Sequence, residues 1–243
     1  LNFEINDKNK LYISYARANR EPNRTDYEGG NVKPEKLNDF ELGWRYSSDK
    51  SRLNINGYYM RYQDQLVLTG ALNDVGDPIR TNVGESYRLG LEVDLSFQLS
   101  EKWNIRPNFT LSENKNIDFV NDATLENLGN TTIAFSPSVI GGNILAFKPI
   151  QSVQMAWLSK FVGDQYMNNI DSKESKLPNY FVNDFNITYE LNPKSIFQSI
   201  IFTGLVNNFL DKKYVSNGYM WDVYPYYYPQ AGINFLAGLT LKF

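Results

Sequence analysis

The chain has 243 residues, enough for one large domain, and its 42% hydrophobic and 15% aromatic content is spread over short runs. It contains no cysteine and no histidine, which excludes disulfides, thiol chemistry and imidazole metal sites, so catalysis would rest on carboxylates, tyrosine or lysine. A net charge of −3 leaves no basic footprint for nucleic acid, and the longest apolar runs, such as SIIFTGLV at 199–206, fall far short of the ~20 residues a membrane-crossing helix needs.

Apolar residues interleaved with polar ones over short runs form strands. LNFEI at 1–5 reads as a short first strand, joined through NDKN to a strand beginning at Leu11. Phe40, Leu42, Trp44 and Tyr46 alternate with polar neighbours, and another strand lies within 53–67. In YRLGLEVDLSFQL at 87–99, Tyr87, Leu89, Leu91, Val93, Leu95, Phe97 and Leu99 share one parity while Arg88, Glu92, Asp94, Ser96 and Gln98 share the other. Such alternation gives one apolar and one polar face. Trp103, Ile105, Pro107, Phe109 and Leu111 repeat it after only SEK, which predicts an antiparallel hairpin. The period continues at Val153, Met155, Trp157 and Phe161, then at Phe181, Phe185, Ile187, Tyr189 and Leu191, and it is cleanest from Ile233 to Phe243. Segments 138–149 and 198–210 also read as strands but are apolar on both parities, so their faces cannot be assigned from sequence. Ten full strands and a short first one make about eleven.

Connections divide into two kinds. The joins near 47–50, 100–102, 148–150 and 192–195 are short, whereas 18–36, 68–85, 116–137, 164–178 and 211–230 are long and rich in Asn, Asp, Gly, Pro and Tyr. Short turns on one rim and long loops on the other are the pattern of an antiparallel transmembrane β-barrel. A soluble sandwich or propeller also alternates faces, but strands of 10 to 13 residues exceed the usual soluble length and match the ~9–11 tilted residues that span a bilayer.

Six blocks in order resemble one family. LYISYARANREPNRTDY (11–27), VKPEKLNDFELGWRY (32–46), LNINGYYMRYQDQLV (53–67), NVGESYRLGLEVD (82–94), LVNNFLDKKYVSNGY (205–219) and YYYPQAGINFLAGLTLKF (226–243) look like blocks of TonB-dependent outer-membrane receptors of Gram-negative bacteria. The resemblance covers essentially the whole chain. It implies an all-β fold, the C-terminal half of a barrel of about 22 strands, with the N-terminal plug domain and the first barrel half outside residues 1–243. It also implies an integral outer-membrane location, contact with outer-membrane lipid, coupling to the TonB complex through the plug, and a small-molecule chelate as cargo. A surface lipoprotein would be a further partner if the receptor were of the glycan-importing type. Phe243, ending an alternating run, resembles the signal read by the outer-membrane assembly machinery.

Site candidates lie in the long loops. Arg17, Arg20 and Arg24, followed by Tyr27, open the first one, and converging guanidinium groups would suit an anionic chelate; pairing with Glu21, Asp26 or other loop carboxylates would make them ordinary loop residues. The stretch YMWDVYPYYYPQ at 219–230 carries Tyr219, Trp221, Tyr224 and Tyr226 to Tyr228, with Pro225 and Pro229 expected to break regular pairing. Such aromatic surface suits either ligand capture or an interfacial belt; Trp221 and Tyr224, nearer the loop apex, are the stronger ligand candidates. The acidic loop 116–127 lacks the spacing and glycine of a calcium loop, so no metal site is expected. Asn207, Asn208, Asp211 and Tyr214 are expected to end a strand and shape the loop above it, and Arg88, Glu92, Asp94 and Arg106 to pair with one another or with a plug.

The function implied is active import of a scarce nutrient chelate of siderophore, haem or cobalamin type, with no catalytic residue and no cofactor. A self-contained porin or adhesin barrel is the alternative from another class. An outer-membrane protease or lipase is disfavoured by the absence of histidine.

Overall fold

The computed structural model describes residues 1–28, 30–121, 124–193 and 196–243, so parts of the expected loop 116–127 and of the turn at 192–195 lie outside the described residues. In chain order the elements are β1 (Asn2–Asn6), β2 (Asn9–Arg20), the short helix α1 (Arg24–Glu28), β3 (Glu35–Ser47), β4 (Ser51–Gln63), β5 (Leu66–Leu72), β6 (Pro78–Asn82), β7 (Glu85–Gln98), β8 (Trp103–Asn116) and β9 (Thr131–Thr132). Then follow β10 (Val139–Ile150), β11 (Val153–Val162), β12 (Gln165–Tyr166), β13 (Lys176–Leu177), β14 (Tyr180–Leu191), β15 (Ser199–Asn207), β16 (Val215–Trp221), β17 (Tyr224–Pro229) and β18 (Asn234–Lys242).

One sheet forms the wall. Its order is β1-β2-β3-β4-β7-β8-β10-β11-β14-β15-β18, every neighbour antiparallel, with β9 added to the end of β8. This is the expected meander of ten full strands and a short first one. Within it β1 and β18 pair on one side only, so the sheet is open. Successive reversals send the connections 21–34, 64–84, 117–138, 163–179 and 208–233 to one rim, while 48–50, 99–102, 151–152 and 192–198 turn at the other. The join expected at 148–150 is the end of β10, and the turn itself is two residues long.

Register assigns the faces, because directly paired residues project to the same side. The row Ile13↔Leu42↔Gly57↔Leu91↔Leu111 and the row Met155↔Ile187↔Gly204↔Ala237 lie on the apolar face. The row Lys10↔Arg45↔Asn54↔Asp94↔Asn108 lies on the polar face. The two segments unreadable from sequence are resolved in the same way: Leu145 and Phe147 of β10 pair with Ile105 and Trp103, and Phe202 and Val206 of β15 pair with Tyr189 and Phe185, all on the apolar face. Ile13, Phe40, Leu42, Phe109 and Leu239 stand exposed there. A continuous apolar surface of this kind, backed by a polar face, is what lipid requires.

Exceptions to the alternation have local causes. Asn143, Ser159 and Asn183 fall in one row on the apolar face, where Asn183 is 1% exposed and its Oδ1 accepts from Ser159 Oγ at 2.7 Å and Trp157 Nε1 at 2.9 Å. Phe209 packs edge-on against Trp157 at 5.1 Å. On the polar face Tyr12 and Tyr58 lie flat across their cross-strand partners Gly43 and Gly90, where any side chain would overlap the rings. Tyr12 also donates to Asn56 Oδ1 at 2.8 Å and lies under the Arg45 guanidinium at 4.5 Å. Arg88 bonds Asn114 Oδ1 at 3.2 Å and Ser136 Oγ at 3.0 Å, neutral partners rather than Glu92, Asp94 or Arg106, so of the two alternatives expected of it, pairing within that group is not what the described residues show.

Two loop expectations are also corrected. The expected loop 68–85 overlaps the hairpin β5–β6, which runs from Leu66 to Asn82, and the proline-bearing stretch 219–230 completes a second hairpin, β16–β17. Trp221 and Tyr224 flank a two-residue turn with Asp222 at φ 57°. Pro225 pairs with Met220 one step further on, where an antiparallel hairpin directs no backbone N–H toward its partner. Proline therefore costs this edge strand no ladder bond.

Candidate functional site

The five long connections pack together into a layer above the wall. Met167 and Leu177 of one connection and Met220 of another bury one another and meet Phe135 of a third and Val215. Val67, Val83 and Ile133 form a second cluster against Phe119. Buried apolar side chains normally belong to a domain core; here they bind loop to loop.

Polar staples complete the layer. Asn169, buried, accepts from the Ala134 N–H at 2.8 Å and from Asn116 Nδ2 at 3.3 Å, and its own Nδ2 donates to the Leu68 carbonyl at 2.7 Å. Asp171 accepts from the Thr132 N–H at 2.9 Å and hydroxyl at 3.2 Å. Asn82 joins the first two connections, accepting from the Lys33 N–H at 2.6 Å and donating to the Lys33 carbonyl at 3.0 Å. Gly70, at φ 89°, is required at its position: a Cβ there would sit 2.5 Å from the Met167 carbonyl oxygen.

A cavity of about 260 Å³ opens between the two hairpins, lined by Leu68, Leu72, Pro78, Phe135, Tyr219 and Tyr228 among others. Tyr219 stacks on Tyr226 at 5.1 Å and 9° and touches Tyr228 at 5.8 Å. Through the register, Tyr219, Trp221, Tyr224, Tyr226 and Tyr228 share one face of β16–β17, while Gly218 and Met220 turn to the packed side. Trp221 and Tyr224 at the hairpin tip are 63% and 64% exposed. Flat rings with little rotamer entropy beside an apolar hollow can stack on a planar or apolar portion of a ligand.

The three arginines do not converge. Arg20 reaches Asp26 at 3.0 Å and Glu35 at 3.7 Å, and Arg80 approaches the same Asp26 at 3.4 Å. The Asp26 side chain is wholly buried between them, also accepting from the Asn23 N–H at 2.9 Å. Arg17 occupies the apolar face of β2 opposite Asn38, Arg24 lies on α1, and Tyr27 is exposed on the same short helix. Phe243 follows β18 with its ring 5.0 Å from Phe197. Asn208, at φ 48°, accepts from the Lys212 N–H at 2.9 Å and donates to the Ala231 carbonyl at 3.0 Å, ending β15 as its block suggested. Sequence reasoning passed over Asn169, Asp171 and Gly70, because an Asn or Gly in a polar stretch carries no local sign of burial.

Charge in the loop layer is set locally. Asp164 is held below the ordinary carboxylate range chiefly by the Lys176 ammonium at 2.8 Å; burial opposes this, and the Asn179 N–H at 2.7 Å adds to the lowering. The same pair raises Lys176. A depressed Asp stabilises the folded loop above its unfolded pKa of about 3.9, and that contribution disappears as pH falls through the lower folded value. The raised Lys contributes below about 10.4 and loses its effect as pH rises through its folded value. We expect the Asn179 amide resonance to shift in acid with an apparent pKa below that of Asp in a peptide, and Lys176→Met to return it toward the peptide value. An unmoved titration in that variant would contradict the assignment.

The family model described as TonB-dependent receptor-like, β-barrel, matches residues 1–209. The ferric-pyoverdine 358 receptor of Pseudomonas putida is 24% identical over 228 residues, which is 87% of this chain and 25% of that one. The crystal structure of the ferric yersiniabactin uptake receptor from Yersinia pestis superposes with TM-score 0.70 at 17% identity, covering 98% of this chain and 35% of that one. The siderophore receptor from Acinetobacter baumannii gives TM-score 0.72 at 17% identity, over 98% and 34%. The chain thus spans about a quarter of its relative and a third of these structures. With the antiparallel meander, two-faced wall and one-sided long connections in place, the family match identifies the protein as a member of the TonB-dependent receptor β-barrel family, a family of transport receptors.

Proposed function

We propose that the chain is the C-terminal half of the barrel of an outer-membrane receptor that imports a ferric siderophore, driven by the TonB complex through a plug carried elsewhere in the whole protein. The observation that carries this reading is the aromatic hollow between β5–β6 and β16–β17, placed in a packed loop layer at the loop rim, in a chain of this family. Resemblance to a ferric-pyoverdine receptor and to siderophore receptors favours a ferric siderophore over haem or cobalamin. Tyr219, Trp221 and Tyr224 would stack on the ligand, and Arg24 and Tyr27 would meet it from the first connection. Arg20 holds Asp26 and Glu35 rather than the ligand. The open edges β1 and β18 would be paired in the whole receptor by further wall strands, since an unpaired row of backbone groups in lipid costs several kcal/mol per group.

The test is binding by the full-length receptor in detergent, followed through tryptophan fluorescence, against ferric pyoverdine-type, catecholate and phenolate siderophores, haem and cobalamin. One ferric siderophore is expected to bind tightly, and Tyr219→Ala with Trp221→Ala to weaken it by at least tenfold, as loss of central aromatic contacts commonly does. Preference for haem or cobalamin would overturn the cargo, and steady ion conduction without ligand would favour a porin.

A further inference from the structure

Arg17 points away from the loop layer, and its surroundings assign it a different partner. The register Arg17↔Asn38↔Arg61↔Tyr87↔Lys115 places three cations in one row on the apolar face of β2, β4 and β8, close to the loop rim. Lys36 stands one row nearer the loops on the same face. Glu85 and Glu113 share this surface; Glu85 is ion-paired with Arg61, and the Lys115 ammonium donates to Thr132 Oγ1 at 3.1 Å. Arg17 and Lys36 are exposed and have no ion pair among the described residues.

Immediately below the cations come the rings of Tyr15, Phe40 and Tyr59, the first two 4.8 Å apart. In the next row Gly57 stands between Leu42 and Leu91 and leaves a groove of about 660 Å³ with an almost wholly apolar lining. At ~3.3 Å per residue the groove centre lies ~13 Å from the cation row, and at ~4.8 Å per strand the row is ~19 Å wide. The arrangement is confined to this part of the face. The loop-rim ends further along carry Val139, Phe161 and Phe181, and the turn-rim ends of β3, β4, β7 and β8 carry Tyr46, Leu53, Phe97 and Trp103.

We infer that this surface binds a phosphorylated, multiply acylated glycolipid of the outer leaflet, with phosphates on Arg17, Lys36, Arg61 and Lys115 and an acyl chain in the groove at Gly57. The inference rests on the outer-membrane reading given above. Charge complementarity selects an anionic headgroup, the width of the row selects one with more than one phosphate, and the position at the loop rim selects the outer leaflet. A phospholipid with a single phosphate would engage only part of the row.

Native mass spectrometry of the full-length receptor in a zwitterionic detergent, titrated with purified lipid A or with phosphatidylglycerol, tests it. The expected result is at least tenfold tighter binding of lipid A, lost by at least tenfold in Arg17→Gln combined with Lys36→Gln and Lys115→Gln. At Gly57 a Cβ meets nothing nearer than 3.8 Å, so the side chain of Gly57→Leu can leave the backbone toward the groove, and it should weaken lipid A at least threefold by filling it. Arg52→Gln, on the polar face, should change nothing. Equal binding of the two lipids, or wild-type lipid A affinity in either altered surface, would overturn the assignment. Should the triple variant fail to fold, the wild-type preference and Gly57→Leu still decide. Failure of the outer-membrane reading shows separately, as absence of the receptor from the outer-membrane fraction.

Discussion

Val93→Arg is expected to destabilise the wall of the full-length receptor by ~2–4 kcal/mol, the cost of a lipid-facing cation near the bilayer midplane. Val93 lies within β7, eight residues from its loop-rim end and five from its turn-rim end, in the apolar row Leu11↔Trp44↔Ile55↔Val93↔Phe109. Its larger neighbours cover it, and it is only 7% exposed. An arginine there must both displace those side chains and place its charge among them. The adjacent Glu92 faces the polar side, so Glu92→Arg should leave folding nearly unchanged. Heat-resistant migration in detergent and urea unfolding in bilayers would measure both. If the two variants lost equal stability, the assignment of faces would be wrong.

Asn169→Leu should loosen the loop layer while leaving the wall intact. The substitution strands the Ala134 N–H and the Leu68 carbonyl, both bonded to one side chain that is 3% exposed, and leaves the Asn116 amide with Thr131 Oγ1 alone. Each stranded buried group costs ~1–3 kcal/mol, so a local loss of about 2–6 kcal/mol is expected. Hydrogen exchange at Ala134 should accelerate by at least a hundredfold, and affinity for the cargo should fall with it, because Leu68 lines the aromatic hollow. Exchange within β10 and β11 should stay slow. Unchanged exchange at Ala134 would show that the apolar clusters hold the layer without the amide.

The wall was largely legible in the sequence. Strict alternation at 87–99 and 233–243 marks two-faced strands because side chains in an extended backbone project to opposite sides in turn, a property of each strand alone. Short joins and long polar stretches gave the two rims for the same reason, since the chain must reverse between neighbouring strands. The resemblance of six blocks then pointed to the family that the match over residues 1–209 establishes.

Where a strand is apolar on both parities, as at 138–149 and 198–210, periodicity is silent and only pairing with neighbours selects the face. The apparent obstacle of Pro225 vanished because the residue falls at a hairpin position that needs no N–H, which depends on the turn at Asp222 and Val223 rather than on proline itself. Arg17, Arg20 and Arg24 are close in sequence, yet strand parity sends Arg17 and Arg20 to opposite faces and Asp26 captures Arg20 together with Arg80. What the residues determined by themselves was therefore the two-faced strand, the two rims and the family. The tertiary structure decided which loop groups meet: Asn169 bonds Leu68 from 101 positions away, and no local pattern encodes a contact whose partners are brought together only by the assembly of the strands between them.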